Sequence, residues 1–339
     1  MKKRSLFLAA FLALSAASTV GLTACGGGEE PAPNMLFDTK FEKGIYISSL
    51  QSAENAYSAW RFADTTGEPF WKLGQYGDLS TTRDNYDATK NSLSLGGLFT
   101  PNYGIKDTTD EGVQTLTNQS GSKFISVDTA TGTVNLNVDT SKEYVNQATG
   151  ATQVRANGED WVHMILSQQS GTVYLSQVES FVMELDFTLT CNDVYDSSIG
   201  AAQFQWIFSV RDMVIDPVDY FWFNVTLFDN RYMTTPFPGT QMVDSGKADA
   251  TGKFIYAPTG QDLFGSTGGL VQVGTKYHVE LDLLAHMRAA FDKAQELGAL
   301  QRSDWENMAI SDFNLGWEVS NLSKVGVEIS NLALRKKDK

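Results

Sequence analysis

The chain has 339 residues, with 40 Asp and Glu against 26 Lys and Arg, for a formal charge of −14. Such a surface repels phosphate backbones and anionic lipid, which argues against nucleic acid or a bare membrane as partner. Two cysteines, Cys25 and Cys191, allow at most one disulfide, so stability must come from a core, and this length can supply one.

The first segment, in chain order, is an export signal. Met1-Lys2-Lys3-Arg4 is followed by an apolar run from Leu6 to Ala17 and then Leu22-Thr23-Ala24-Cys25. The run is too short to span a bilayer and has the charged start and small-residue site of a signal peptide. Because the site ends in cysteine, the tetrapeptide resembles the lipobox of bacterial lipoproteins. That resemblance implies that residues 1–24 are removed and that Cys25 becomes a diacylated N-terminus. Several acyl chains, at about 0.8 kcal/mol per buried CH₂, would hold the protein on the cell envelope outside the cytoplasm. Cys191 is then left without an intrachain partner, and the membrane is met through lipid alone. Residues 25–34, with Gly26-Gly27-Gly28 and Pro31-Ala32-Pro33, read as a linker that is flexible and then stiffer.

From residue 35 to 339 short alternating runs are separated by Gly, Asn, Asp, Thr and Pro, which is a pattern of strands and turns. Val134, Leu136 and Val138 alternate with Asn135 and Asn137. Val162, Met164 and Leu166 alternate with Trp161, His163 and Ile165. Phe181, Met183, Leu185, Phe187 and Leu189 oppose Glu184, Asp186 and Thr188. Phe204, Trp206 and Phe208 oppose Gln203 and Gln205, while Phe221, Phe223, Val225 and Leu227 oppose Tyr220, Trp222, Asn224 and Thr226. Between Leu284 and Leu297 the period changes: Met287, Ala290, Phe291, Ala294 and Leu297 recur at helical spacing, and Gly298 supplies a stop. Strands at Asn314–Val319 and Val325–Leu334 close the chain. No linker interrupts residues 35–339, so the expected fold is all-β: one antiparallel β-sandwich with a single amphipathic helix packed on it.

In a sandwich the apolar side of each strand enters the core, so function belongs to the opposite face or to loops. If the strands carrying Trp161, Gln203 and Tyr220 share a sheet, its outer face presents Trp161, His163, Gln203, Gln205, Tyr220, Trp222 and Asn224. The C–H face of a sugar lies flat on indole, and its hydroxyls need planar amides, so this set suits a glycan. Trp222 is expected to be the stacking platform, with Trp161 or Tyr220 beside it. Arg231, in Asp229-Asn230-Arg231-Tyr232, could fork onto a uronate carboxylate at the rim or pin its own loop.

The pairs Glu184/Asp186 and Glu280/Asp282 resemble the first two positions of the E-x-D-x-x-E motif of the concanavalin A-like lectin and glucanase superfamily. That resemblance, with the strand pattern, implies a jelly-roll sandwich; in the enzymes two glutamates perform retaining hydrolysis. Here the third position is Leu189 in one copy and Ala285 in the other, so the acid/base is missing. A sandwich alginate lyase would need Q-x-H where this chain has Gln203-Phe204-Gln205. His163, His278 and His286 lack zinc-ligand spacing. Asn192, Asp193 and Asp196 lack a regular calcium-loop spacing, which leaves a structural calcium as the one metal considered and no other cofactor. The expected function is non-catalytic polysaccharide binding at the cell surface; a lyase or glycosidase, and a purely structural lipoprotein, are the alternatives.

Overall fold

The computed structural model describes residues 32–49, 56–62, 67–75, 93–94, 106–118, 120–146, 149–155, 161–215, 218–245 and 251–339. Cys25 and the signal segment lie outside them. The strands, in chain order, begin with β1 (Ile45–Ser49), β2 (Ala56–Trp60), β3 (Trp71–Gln75), β4 (Leu93–Ser94), β5 (Lys106–Asp110) and β6 (Val113–Thr117). Next come β7 (Lys123–Asp128), β8 (Thr133–Asp139), β9 (Val145–Asn146), β10 (Val162–Tyr174), β11 (Val178–Asp196) and β12 (Ala202–Asp212). The series continues with β13 (Tyr220–Asp229), β14 (Thr240–Val243), β15 (Phe254–Ala257), the short helix α1 (Gly260–Phe264) and β16 (Lys276–Asp282). Helix α2 (Leu284–Glu296), β17 (Met308–Val319) and β18 (Leu322–Asp338) complete it.

These strands form an all-β sandwich. One layer is a nine-stranded sheet ordered β14-β15-β13-β12-β17-β10-β3-β1-β2, and the other is seven-stranded, β16-β11-β18-β8-β7-β6-β5. Pairing is antiparallel except at β1–β3 and β13–β15. Alternation decides what fills the space between the layers. Phe204, Trp206 and Phe208 of β12 and Phe313 and Trp317 of β17 meet Phe181, Phe187 and Leu136 from the other sheet, all of them buried. Trp206 packs on Phe208 at 5.7 Å and on Phe313 at 5.5 Å, while the Trp317 indole N–H donates across the sandwich to the Leu136 carbonyl at 3.1 Å.

Helix α2 buries Met287, Ala290, Phe291 and Ala294, as its spacing predicts. Leu297 does not join them: it is the C-cap residue, 56% exposed, and Gly298 beyond it takes φ +85°. The start of the folded body is clasped to its last strand. The Asn34 amide donates to the Leu332 carbonyl at 2.9 Å and accepts from the Leu334 N–H at 3.0 Å, and the Met35 N–H reaches the Leu334 carbonyl at 2.7 Å.

Candidate functional site

Strands β10, β12 and β13 do share the nine-stranded sheet, with β17 inserted between β10 and β12. Register then fixes the rows of the outer face. His163 faces Glu318, Glu318 faces Gln203, and Gln203 faces Asp229. A second row runs Ile165, Gly316, Gln205, Thr226, and a third runs Ser167, Asn314, Ile207, Asn224. Trp222 and Tyr220 come after these, facing Ser209 and Arg211. Gly316 is required by the close approach of β10, since a Cβ there would collide with the Met164 carbonyl.

The outward residues therefore fall on one face but at two ends of it. At one end Trp161 lies 5.9 Å from His163, ring to ring, with the Arg155 guanidinium 5.1 Å from the indole. Glu318 sits beside them, its side chain 21% exposed and 3.7 Å from His163 Nε2. At the other end the rings of Tyr220 and Trp222 meet edge to face at 5.4 Å. Trp161 is not next to Trp222: they are three strands apart, and Trp222 lies seven residues back along β13 from Asp229, roughly 20 Å at the usual rise.

Between the ends, hydrogen bonds join Glu318, Gln205 and Asn224. Gln205 Nε2 donates to Glu318 at 3.1 Å, and Gln205 Oε1 accepts from the Asn224 amide at 3.2 Å. Gln203 donates to Asp229 at 2.8 Å. Burial divides the set. Gln205 and His163 are buried, so they position Glu318 and Asn224; Trp161, Gln203, Tyr220, Trp222 and Asn224 are half-buried. Tyr220 offers little free ring face, because Arg211 and Lys253 lie 5.5 and 4.9 Å from its centroid. Burial is the main reason its hydroxyl pKa is raised.

Arg231 is not a free fork. Its Nε and Nη2 both donate to the wholly buried Asp229 carboxylate, at 3.0 and 2.6 Å, and this hydrogen bonding raises the guanidinium pKa against the opposing effect of burial. The two acidic pairs are also removed from this face. Glu184, Asp186, Glu280 and Asp282 project from β11 and β16 on the other sheet, with Glu184 opposite Glu280. There Glu184 is bonded to Arg335 and Asn331, and Asp186 to Lys276 and His278. Asn192, Asp193 and Asp196 are strung along the end of β11 rather than gathered in a turn. Among the described residues no three acidic, His or Cys side chains converge as a metal site, and no helix is long and apolar enough to cross a membrane.

Glu318 is the central residue that the sequence reading passed over. The signal was present: Asn314, Gly316 and Glu318 alternate with Leu315, Trp317 and Val319, as on the other strands. A concavity of about 220 Å³ lies apart from these residues, between β14–β15 and α1, walled by Gln241, Tyr256, Thr259 and Asp262.

No family model and no curated protein matches the chain. Solved structures similar to it include the xyloglucanase domain of NopAA from Sinorhizobium fredii, at 8% identity and TM-score 0.36, covering 69% of this chain and 96% of that one. Endoglucanase Cel12A from Rhodothermus marinus has 11% identity and TM-score 0.35, covering 70% and 97%. A family 12 xyloglucanase from Bacillus licheniformis has 9% identity and TM-score 0.36, covering 69% and 97%.

Proposed function

We propose that this chain binds a neutral polysaccharide on the outer face of the nine-stranded sheet, as a lipoprotein anchored through Cys25 outside the cytoplasm. The observation that carries the glycan reading is the run of Glu318, Gln205 and Asn224, linked by hydrogen bonds on the outer face, with Trp161 and Trp222 at opposite ends of that face. The half-buried indoles take sugar C–H faces; the half-buried Glu318, Gln203 and Asn224 take hydroxyls, with Gln205 behind them. Neutral rather than acidic glycan is favoured because Arg231 is already neutralised by Asp229.

Binding is favoured over hydrolysis on the same grounds. Glycoside hydrolysis uses two carboxyl groups flanking the bond, about 5–9.5 Å apart. Among the described residues the carboxylate that faces Glu318 across Gln203 is Asp229, and it is wholly buried under Arg231, unable to touch a substrate.

The test is retardation in native gels containing mixed-linkage β-glucan, xyloglucan, galactomannan or polygalacturonate. Retardation by a neutral polymer, weakened about tenfold in Glu318→Ala, the scale of a charged hydrogen bond, is the expected result. Retardation by polygalacturonate alone, or by nothing, overturns the reading. Release of reducing ends from a bound polymer would make the protein an enzyme instead.

A further inference from the structure

The outer face is closed in its middle and open at its Trp222 end. Ile207, Ser209 and Asn314 are buried, whereas Trp222, Arg211, Asp312 and Gln169 keep solvent-accessible surface. These four form a line across β13, β12, β17 and β10. It leads to Phe70, just ahead of β3 and two residues before Lys72, the cross-strand partner of Ser167. Phe70 is 39% exposed and stacks at 5.1 Å on Phe37, itself 49% exposed.

That phenyl pair is fixed rather than loose. Gln168 is buried and gives both ends of its amide to the Phe37 backbone, accepting from its N–H at 2.7 Å and donating to its carbonyl at 2.9 Å. Lys43 caps Phe70 at 4.5 Å, so the open ring face belongs to Phe37. Leaving a rigid aromatic pair in water forgoes the free energy of burying it, which a ligand laid on Phe37 would recover.

We propose that Phe37 and Phe70 are a distal subsite of the glycan-binding face, where the segment of polymer held at Trp222 crosses the strands to Phe37 while the Trp161–Glu318 end takes another segment. This rests on the glycan reading above. The four interstrand steps from β13 to β3 span about 19 Å, longer than a disaccharide, so the ligand is an extended, linear chain. Two cations along the line are matched by carboxylates. Arg211 is matched by Asp312 at 3.1 Å and Lys253 by Asp219 at 3.2 Å.

The experiment is calorimetric titration with two- to six-unit oligosaccharides cut from β-glucan, xyloglucan and galactomannan, using wild type, Trp222→Ala, Phe70→Ala and Phe37→Ala. Expected is an affinity that climbs with length. Phe37→Ala and Phe70→Ala should cost about threefold to tenfold for the longest oligomer and nothing for the disaccharide, the scale of one aromatic contact. Thermal melts of both variants identify which of them is properly folded, and that one is read. Equal losses at every length, or no loss for the longest oligomer while Trp222→Ala still weakens it, overturn the distal subsite and leave the glycan reading standing. Failure of every oligomer and every parent polymer to bind wild type overturns both.

Discussion

At the scale of single residues, Arg231 shows how a side chain of the right type can be spent before any ligand arrives. Its guanidinium closes over Asp229, and Asp229 in turn holds Gln203, so all three are one unit of the face. Arg231→Ala leaves a buried carboxylate short of its donors, an expected loss of about 1–3 kcal/mol, read as a lowered thermal or urea midpoint. A uronate clamp would behave oppositely, losing affinity for polygalacturonate with an unchanged melt. Nothing in the tetrapeptide Asp229-Asn230-Arg231-Tyr232 distinguishes these outcomes, because spacing gives proximity and not the direction of a fork. By contrast, the outward placement of Trp222 was legible, since period-two alternation fixes it once the strand is recognised. Its distance from Trp161 was not. Alternation assigns a face, while the offset between strands depends on register, and β17, distant in sequence, sits between β10 and β12.

At the scale of elements, β11 and β16 fix where the two acidic pairs lie. Their alternation is regular, but a regular strand can belong to either layer, and these two pair in the seven-stranded sheet. Glu184 and Asp186 make cross-strand ion pairs, and Asp282 accepts from the Phe181 and Leu284 N–H groups. Burial pushes the Asp186 carboxyl up, yet hydrogen bonds and charge from Lys276 and His278 together hold it below the usual value. A carboxylate with a depressed folded pKa stabilises above its unfolded value of about 3.9, and that contribution disappears as pH falls through the folded one. Asp186→Asn should therefore lower the melting temperature at pH 7, and the gap from wild type should close below about pH 4. A gap unchanged down to pH 2 would mean that the pair is not electrostatic. β17 carries a different constraint. Gly316→Ala would drive a methyl group into the Met164 carbonyl, so strand pairing at the centre of the face should fail, seen as loss of a cooperative melt.

At the scale of the whole molecule, the sandwich was readable from alternation because so many strands keep one apolar side, and α2 from the single change of period. The outermost strands gave weaker signals: β14 exposes three of its four residues, so it has no apolar side to recognise. The proposed anchor belongs to this scale too. Cys25→Ser is expected to move the protein from the detergent phase to the aqueous phase in detergent partitioning, and unchanged partitioning would rule the lipid out. A molecule tied at Cys25 and holding a polymer at its sheet face, as proposed, would be under tension. Pull entering near Ala32 meets first the Asn34 clasp on β18, which is paired along its length with β11, the longest strand described. On that proposal the load would fall on the long β11–β18 ladder rather than peel the outermost strand β2 away from the nine-stranded sheet.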